Sequence, residues 1–329
     1  MRNSHNFPPL REVDGLEVII LVDNVIDLGS STPRREVKRV WWLRSGDGDG
    51  PMNLPLAEHG FSALVRLRVG DELHTLLFDA GASGTVALHN ARCIRWDWNQ
   101  VEAVALSHGH LDHTGGLPMI LRHVGRQRLP IYAHDDMFIQ RGALGEQGRV
   151  EPALPPLSLE ELTALGGEVI THREPRALFD GALLVMGEVP RQTDFEGPHP
   201  TQMRREGGQW ISDPWIWDDR SLVARVRGEG TVVITGCAHA GLINTLLYAG
   251  KLTSEPCLRA VIGGFHLFGA RFEPRIERVV SELVALSPAL LVPSHCTGPR
   301  GACALLQAMP AVTVIGGALL RVRLGHWDD

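Results

Sequence analysis

The segment His108-Gly109-His110-Leu111-Asp112-His113 places three imidazoles and one carboxylate within six residues. The apolar run Val101 to Leu106 precedes it and reads as a buried strand. His108 and His110 are two residues apart, so on extended backbone they project to the same side, where one metal ion can take both. Asp112 and His113 are adjacent and diverge on a strand. At a strand-to-helix turn they can serve a second ion, or share one between two. Imidazole nitrogen and carboxylate oxygen are what zinc and its first-row neighbours accept, and four such groups exceed what one open catalytic zinc usually takes from protein. The chemistry to expect is metal-assisted.

The pattern from His108 to Gly116, after a strand and before a Gly-Gly helix start, resembles the signature of the metallo-β-lactamase superfamily. Leu77-Phe78-Asp79-Ala80-Gly81 is similar to the family's earlier strand-end aspartate. Gly236-Cys237-Ala238-His239-Ala240-Gly241 resembles the loop carrying its next histidine, and Ser294-His295-Cys296-Thr297-Gly298 the last ligand histidine. With Gly187-Glu188-Val189-Pro190-Arg191 and Gly263-Gly264-Phe265-His266-Leu267, the set resembles the branch labelled 7,8-dihydropterin-6-methyl-4-(β-D-ribofuranosyl)aminobenzene-5'-phosphate synthase-like. The matches run from about Asp23 to Gly298.

The resemblance implies two ligand sets. His108, His110 and His239 form one, with an open fourth position; Asp112, His113 and His295 form the other. Two divalent ions are the implied cofactors, zinc first, with manganese or iron as alternatives. Asp79 is expected behind the ligands, accepting N–H bonds from groups of the metal loop. The departure from the common pattern lies before His295, where a bridging aspartate is usual. This chain has no Asp or Glu from Val261 to Ala270. His266 stands at the right place in order to be a ligand, yet an imidazole with one free lone pair cannot bridge two metals as a carboxylate can. Cys237 and Cys296 each lie within two residues of a candidate ligand histidine, and a thiolate binds zinc. Small buried residues are the commoner outcome for such cysteines.

The elements that must position these groups are legible around them. Leu16 to Val22 reads as a buried strand ending at Asp23. Phe61 to Val69 and Leu73 to Phe78 read as a hairpin, and Leu117 to Val124 as a helix with Pro118 in its first turn. A second hairpin, Ser221 to Val226 with Thr231 to Thr235, leads to the His239 loop and a helix from Leu242. Hairpin, His-bearing loop and helix therefore occur twice, a hint of two similar halves. Later strands and helices alternate, which suits sheets covered by helices on their outer faces. The resemblance implies an α/β protein with a four-layer αββα sandwich: one domain over residues 1–329, with halves of roughly 1–186 and 220–329. Pro33 to Glu58, carrying Trp41-Trp42, reads as a loop or flap. The segment 187–219, rich in proline, tryptophan and arginine, reads as a loop covering substrate, in which Arg191 can neutralise an anion.

Composition bounds the rest. With 44% hydrophobic and 21% charged residues the chain is an ordinary globular protein, and a net charge of −6 argues against a nucleic-acid partner. No apolar run approaches the ~18 to 20 residues of a membrane span. The N-terminus shows no signal-peptide core. Five cysteines without a CxxC pair suit reduced thiols in a cytoplasmic protein. The expectation is a metal-dependent hydrolase acting on a small anionic, phosphorylated metabolite. Asp112 would ligate, orient the attacking water and accept its proton. The alternatives are a transferase of the dihydropterin/aminobenzene ribotide synthase type, or a lactonase or esterase on the same fold.

Overall fold

The computed structural model describes residues 9–30, 32, 34–40, 54–152 and 155–327. Alternation of side chains along the strands explains why so many are apolar on both faces. Leu16, Val18 and Ile20 of the strand Gly15–Val22 point inward and meet Leu222, Ala224, Ile234, Ile262 and Val292 of the opposing sheet. Ile19 and Leu21 point outward, under the helices Thr85–Cys93 and Leu117–Val124. On the far side, Val223, Val233, Val261 and Leu291 lie beneath the helices Leu242–Thr253, Ile276–Leu286 and Gly298–Ala308. The result is helix, sheet, sheet, helix. Each large aliphatic side chain so buried contributes about 1.5–3 kcal/mol relative to exposure.

The eight-stranded sheet runs in the order Gly167–Thr171, Leu129–Ala133, Ala103–Ala105, Glu72–Phe78, Ser62–Val69, Gly15–Val22, Leu320–Gly325, Val37–Arg39. The last of these strands falls in the stretch expected to be a loop or flap, so that part is an edge strand. Trp41 and Trp42 lie outside the described residues. The other large sheet is built on Leu222–Val226, Gly230–Thr235, Leu258–Gly264 and Leu291–Ser294. In each sheet an antiparallel hairpin is followed by two parallel strands. The ends of these parallel strands gather at one edge, the place where open α/β sheets present ligand-binding loops.

The two halves correspond differently from the sequence expectation. The helix Thr85–Cys93 and the turn Trp98–Gln100 separate the first hairpin from the histidine motif. The positional counterpart of the His239 loop is thus the Asp79 loop, and that of the His108–His113 motif is the Gly263–His266 loop. The segment 187–219 also departs from a plain loop. Its strands Gln202–Glu206 and Gln209–Ser212 form a hairpin that joins Arg141–Leu144 and Val150–Pro152 in a separate four-stranded sheet. No helix among the described residues is long and apolar enough to cross a membrane.

Candidate metal centre

His108 follows the strand Ala103–Ala105, and His110 is the extended residue that starts the short helix Leu111–Thr114. His239 follows Gly230–Thr235 in the other sheet. Across that edge His108 Nε2 lies 3.0 Å from His110 Nδ1 and 3.1 Å from His239 Nε2. Hydrogen bonding fixes the His108 tautomer. Ser107 Oγ donates to Asp79 Oδ2 at 2.7 Å, so it accepts from His108 Nδ1 at 2.9 Å, and His108 Nε2 is left as a bare lone pair. Burial first, then the neighbouring rings, push His108 and His239 far below the usual histidine range; burial, with Arg141 next, pushes His110 down to about 4. Three neutral nitrogens converging at these distances fit a shared cation.

The second set faces the first. His113 Nε2 is 3.2 Å from His295 Nε2, and Asp112 Oδ2 is 3.3 Å from His295 Nε2 and 3.8 Å from His113 Nε2. Asp79, fully buried, accepts from His113 Nδ1 at 2.6 Å and from the Ser107 N–H at 2.7 Å. His295 Nδ1 donates to Asn24 Oδ1 at 3.0 Å, and the His295 N–H donates to Asp23 Oδ1 at 3.0 Å. Burial opposes a charge on His113, but the Asp79 and Asp112 carboxylates raise its pKa overall. Burial works to raise the Asp112 pKa, yet the His113 and His295 rings hold it well below the usual carboxylate range. Asp79, Ala238, His266 and His295 all carry left-handed backbone, with φ of 57°, 58°, 47° and 44°.

His266 does not join Asp112, His113 and His295. Its ring packs 4.1 Å from His239 and 4.4 Å from Phe272, and both of its nitrogens are buried without a hydrogen-bond partner. With His199 and His239 it forms a further cluster whose donor atoms lie within 4.8 Å of one another. His199 was not expected here from its spacing. It comes from the 187–219 segment, is buried, and its Nε2 donates to the His239 carbonyl at 3.3 Å. His59, also unassigned by spacing, reaches Asp112 Oδ2 at 3.4 Å from its Nε2. A cavity of about 370 Å³ opens over both sets, walled by His59, His199, Phe268, Arg271 and Phe272.

Arg191 is not on that wall. Its guanidinium donates to the Val189 and Trp215 carbonyls, each at 2.5 Å, and stacks over Trp217 at 4.9 Å. It braces the segment rather than meeting an anion. His134 is a satisfied core histidine, with Nδ1 accepting the Asp136 N–H at 3.1 Å and Nε2 lying 3.2 Å from Glu188.

Sequence reasoning also passed over Asp218-Asp219-Arg220. Asp218 Oδ2 accepts from the Gly109 N–H and from Arg141 Nη1, each at 2.8 Å. Asp219 Oδ2 accepts from the Ala240 N–H at 2.9 Å, and the Arg220 N–H donates to the Ser107 carbonyl at 3.1 Å. This tripeptide thus grips the backbone beside His108, His110 and His239. Burial opposes the Asp218 charge but Arg141 prevails, bringing its pKa to about 2; burial takes Asp219 up to about 6. A run of three charged residues before a strand looks like solvated surface, so nothing local marks it.

Residues 57–204 match the family model of the metallo-beta-lactamase superfamily. The chain is 29% identical over 245 residues to a 7,8-dihydropterin-6-methyl-4-(beta-D-ribofuranosyl)-aminobenzene-5'-phosphate synthase of Methanocaldococcus jannaschii, covering 74% of this chain and 82% of that protein. It is 30% identical over 251 residues to the uncharacterized protein MJ0448 of the same organism, covering 76% and 88%. The crystal structure of Tm1679, a metal-dependent hydrolase of the beta-lactamase superfamily, aligns with a TM-score of 0.68 at 26% identity, over 95% of this chain and 100% of that one.

Proposed function

The chain belongs to the metallo-beta-lactamase superfamily, and from that premise we propose that it is a two-metal hydrolase of a small anionic metabolite in the cytoplasm. One observation carries this reading. Two sets of imidazole and carboxylate donor atoms, with neighbours 3.0 to 3.8 Å apart, face one another under a common cavity. His108, His110 and His239 would hold one divalent ion, and Asp112, His113 and His295 the other. Bound there, such ions lower the pKa of a water toward ~7 and polarise the oxygen of the bond to be cleaved.

The remaining work falls to side chains. Asp112, whose side chain is 24% exposed, orients the attacking water and accepts its proton at Oδ2. His59 Nε2, at 3.4 Å, carries that proton on to solvent. Arg271 is the guanidinium that lines the cavity among the described residues, so the anionic group of the substrate binds there rather than at Arg191. The free, buried Cys237 and Cys296 favour a reducing compartment.

A panel of phosphoesters, lactones and thioesters, assayed after loading with zinc or manganese, tests the reading. Hydrolysis that chelation abolishes and that Asp112→Asn removes is the expected result. A second reading rests on the 29% identity to the synthase: a transferase joining a dihydropterin to an aminobenzene ribotide. Condensation of those two substrates, with no hydrolysis of any ester in the panel, selects it instead.

A further inference from the structure

We infer that Cys237 is a metal ligand lying between the two ion positions, bridging them as a thiolate where this chain lacks the usual carboxylate. The inference rests on the two-ion reading above.

Cys237 is 3% exposed, and its Sγ lies 3.1 Å from His113 Nε2. Its donor atom belongs to two clusters, each within 4.8 Å: one with His108 and His113, the other with His295 and Cys296. One sulfur is therefore near His108 of the first set and near His113 and His295 of the second. No other side chain among the described residues shares clusters in this way with His108 and with His295. His266, which stands in the chain where a bridging aspartate is usual, packs on the His239 side instead.

The geometry suits a shared ion. The Nδ1 atoms of His113 and His295 are engaged by Asp79 and Asn24, which leaves both Nε2 atoms facing the site, 3.2 Å from each other and, for His113, 3.1 Å from Cys237 Sγ. A cation there would be held by the thiolate and by both nitrogens. A thiolate keeps lone pairs enough to serve two ions, which a neutral imidazole does not. The step is a simple exchange. A metal–sulfur bond forms, the S–H bond breaks, its proton leaves to solvent, and nothing is oxidised or reduced.

The backbone is built to hold the sulfur in place. A Cβ at Gly236 would come 2.2 Å from Ser107 Oγ, and one at Gly264 would come 2.5 Å from Cys296 Sγ. The loop is thus seated against both neighbouring strand ends. The left-handed Ala238 then turns the chain between Cys237 and His239, at φ of 58°.

The experiment loads metal-stripped full-length protein with cobalt(II) and reads metal content and the near-ultraviolet spectrum together. Wild type is expected to hold two ions and to show a sulfur-to-cobalt charge-transfer band. Cys237→Ser and Cys237→Ala should lose the band and fall to about one tightly held ion, while Cys237→Asp regains the second. Cys296→Ala and the exposed Cys303→Ser should keep the band. Circular dichroism of each variant establishes that it is folded. Two bound ions with no band in wild type, or a band lost in Cys296→Ala but kept in Cys237→Ser, overturns the bridge and leaves the two-ion reading standing. Wild type that takes up no cobalt overturns both.

Discussion

The Asp218 carboxylate and the Gly109 N–H meet at 2.8 Å, at the residue that separates His108 from His110. Asp218 is itself held by both terminal nitrogens of Arg141, at 2.6 and 2.8 Å. Asp218 and Arg141 are buried, and Gly109 is half-buried. The spacing of the two histidines is therefore braced by a carboxylate 109 residues along the chain, itself held by Arg141, and not by the local turn alone.

Removing Asp218 takes away the two short ion-pair contacts of buried Arg141 and leaves it the longer one to Asp213, at 3.5 Å. Asp218→Ala should cost about 3–5 kcal/mol, as breaking buried ion pairs does. Asp218→Asn keeps a hydrogen-bond acceptor for Gly109 and should cost less. Urea unfolding of both variants gives the comparison, and chelator competition should show weaker metal binding in each.

The two ligand sets should respond separately. His108→Ala/His110→Ala removes two of three nitrogens from one set, and elemental analysis should show that ion lost. His266 packs on His239, so His266→Ala should weaken the same ion, by roughly 10- to 100-fold as supporting residues do. A loss confined to the His113–His295 ion would contradict the placement of His266.

The two arginines should part company in kinetics. Arg271→Ala should raise KM for anionic substrates more than for neutral ones, since a charge-assisted hydrogen bond contributes about 1.5–3 kcal/mol. Arg191→Ala should instead lower Tm and affect both substrate types alike, because its guanidinium holds backbone carbonyls.

Asp219 gives a pH signature in the metal-free protein. Burial lifts its pKa from 3.8 to about 6, so the folded state favours the protonated acid. Its contribution to stability is full below pH 3.8 and is lost as pH rises through about 6. Asp219→Asn, which mimics the protonated form, should therefore flatten that part of the stability profile. Urea titrations from pH 4 to 7 would show no difference from wild type if Asp219 were ordinary (~3.8 when unperturbed).

What the sequence revealed was local. Three histidines and an aspartate in one short motif announce metal binding, and the turn residues Gly70 and Gly228 mark both hairpins. His199 carries no such spacing; its position depends on the fold of a segment whose strands are short and hold few apolar residues, and so read as loop. Arg191 was misjudged because charge does not reveal whether a guanidinium is engaged with carbonyls. Asp218, Asp219 and Arg220 act on backbone groups, and backbone partners leave no trace in composition. His266 stood in the right order but turned toward the other ring cluster, a matter of its left-handed φ of 47°.

Each ligand set draws on both sheets. His108, His110 and His113 come from one, His239 and His295 from the other, and His295 is held by Asp23 from near the start of the chain. A chain emerging from synthesis can therefore complete neither set until its two halves have docked, and the half that appears first offers only an open, weak fragment of a site. On the two-metal reading, ion capture would then be the closing event of maturation rather than a seed for it. A stalled or truncated chain would remain empty, so on that reading tightly held metal would mark a fully assembled sandwich.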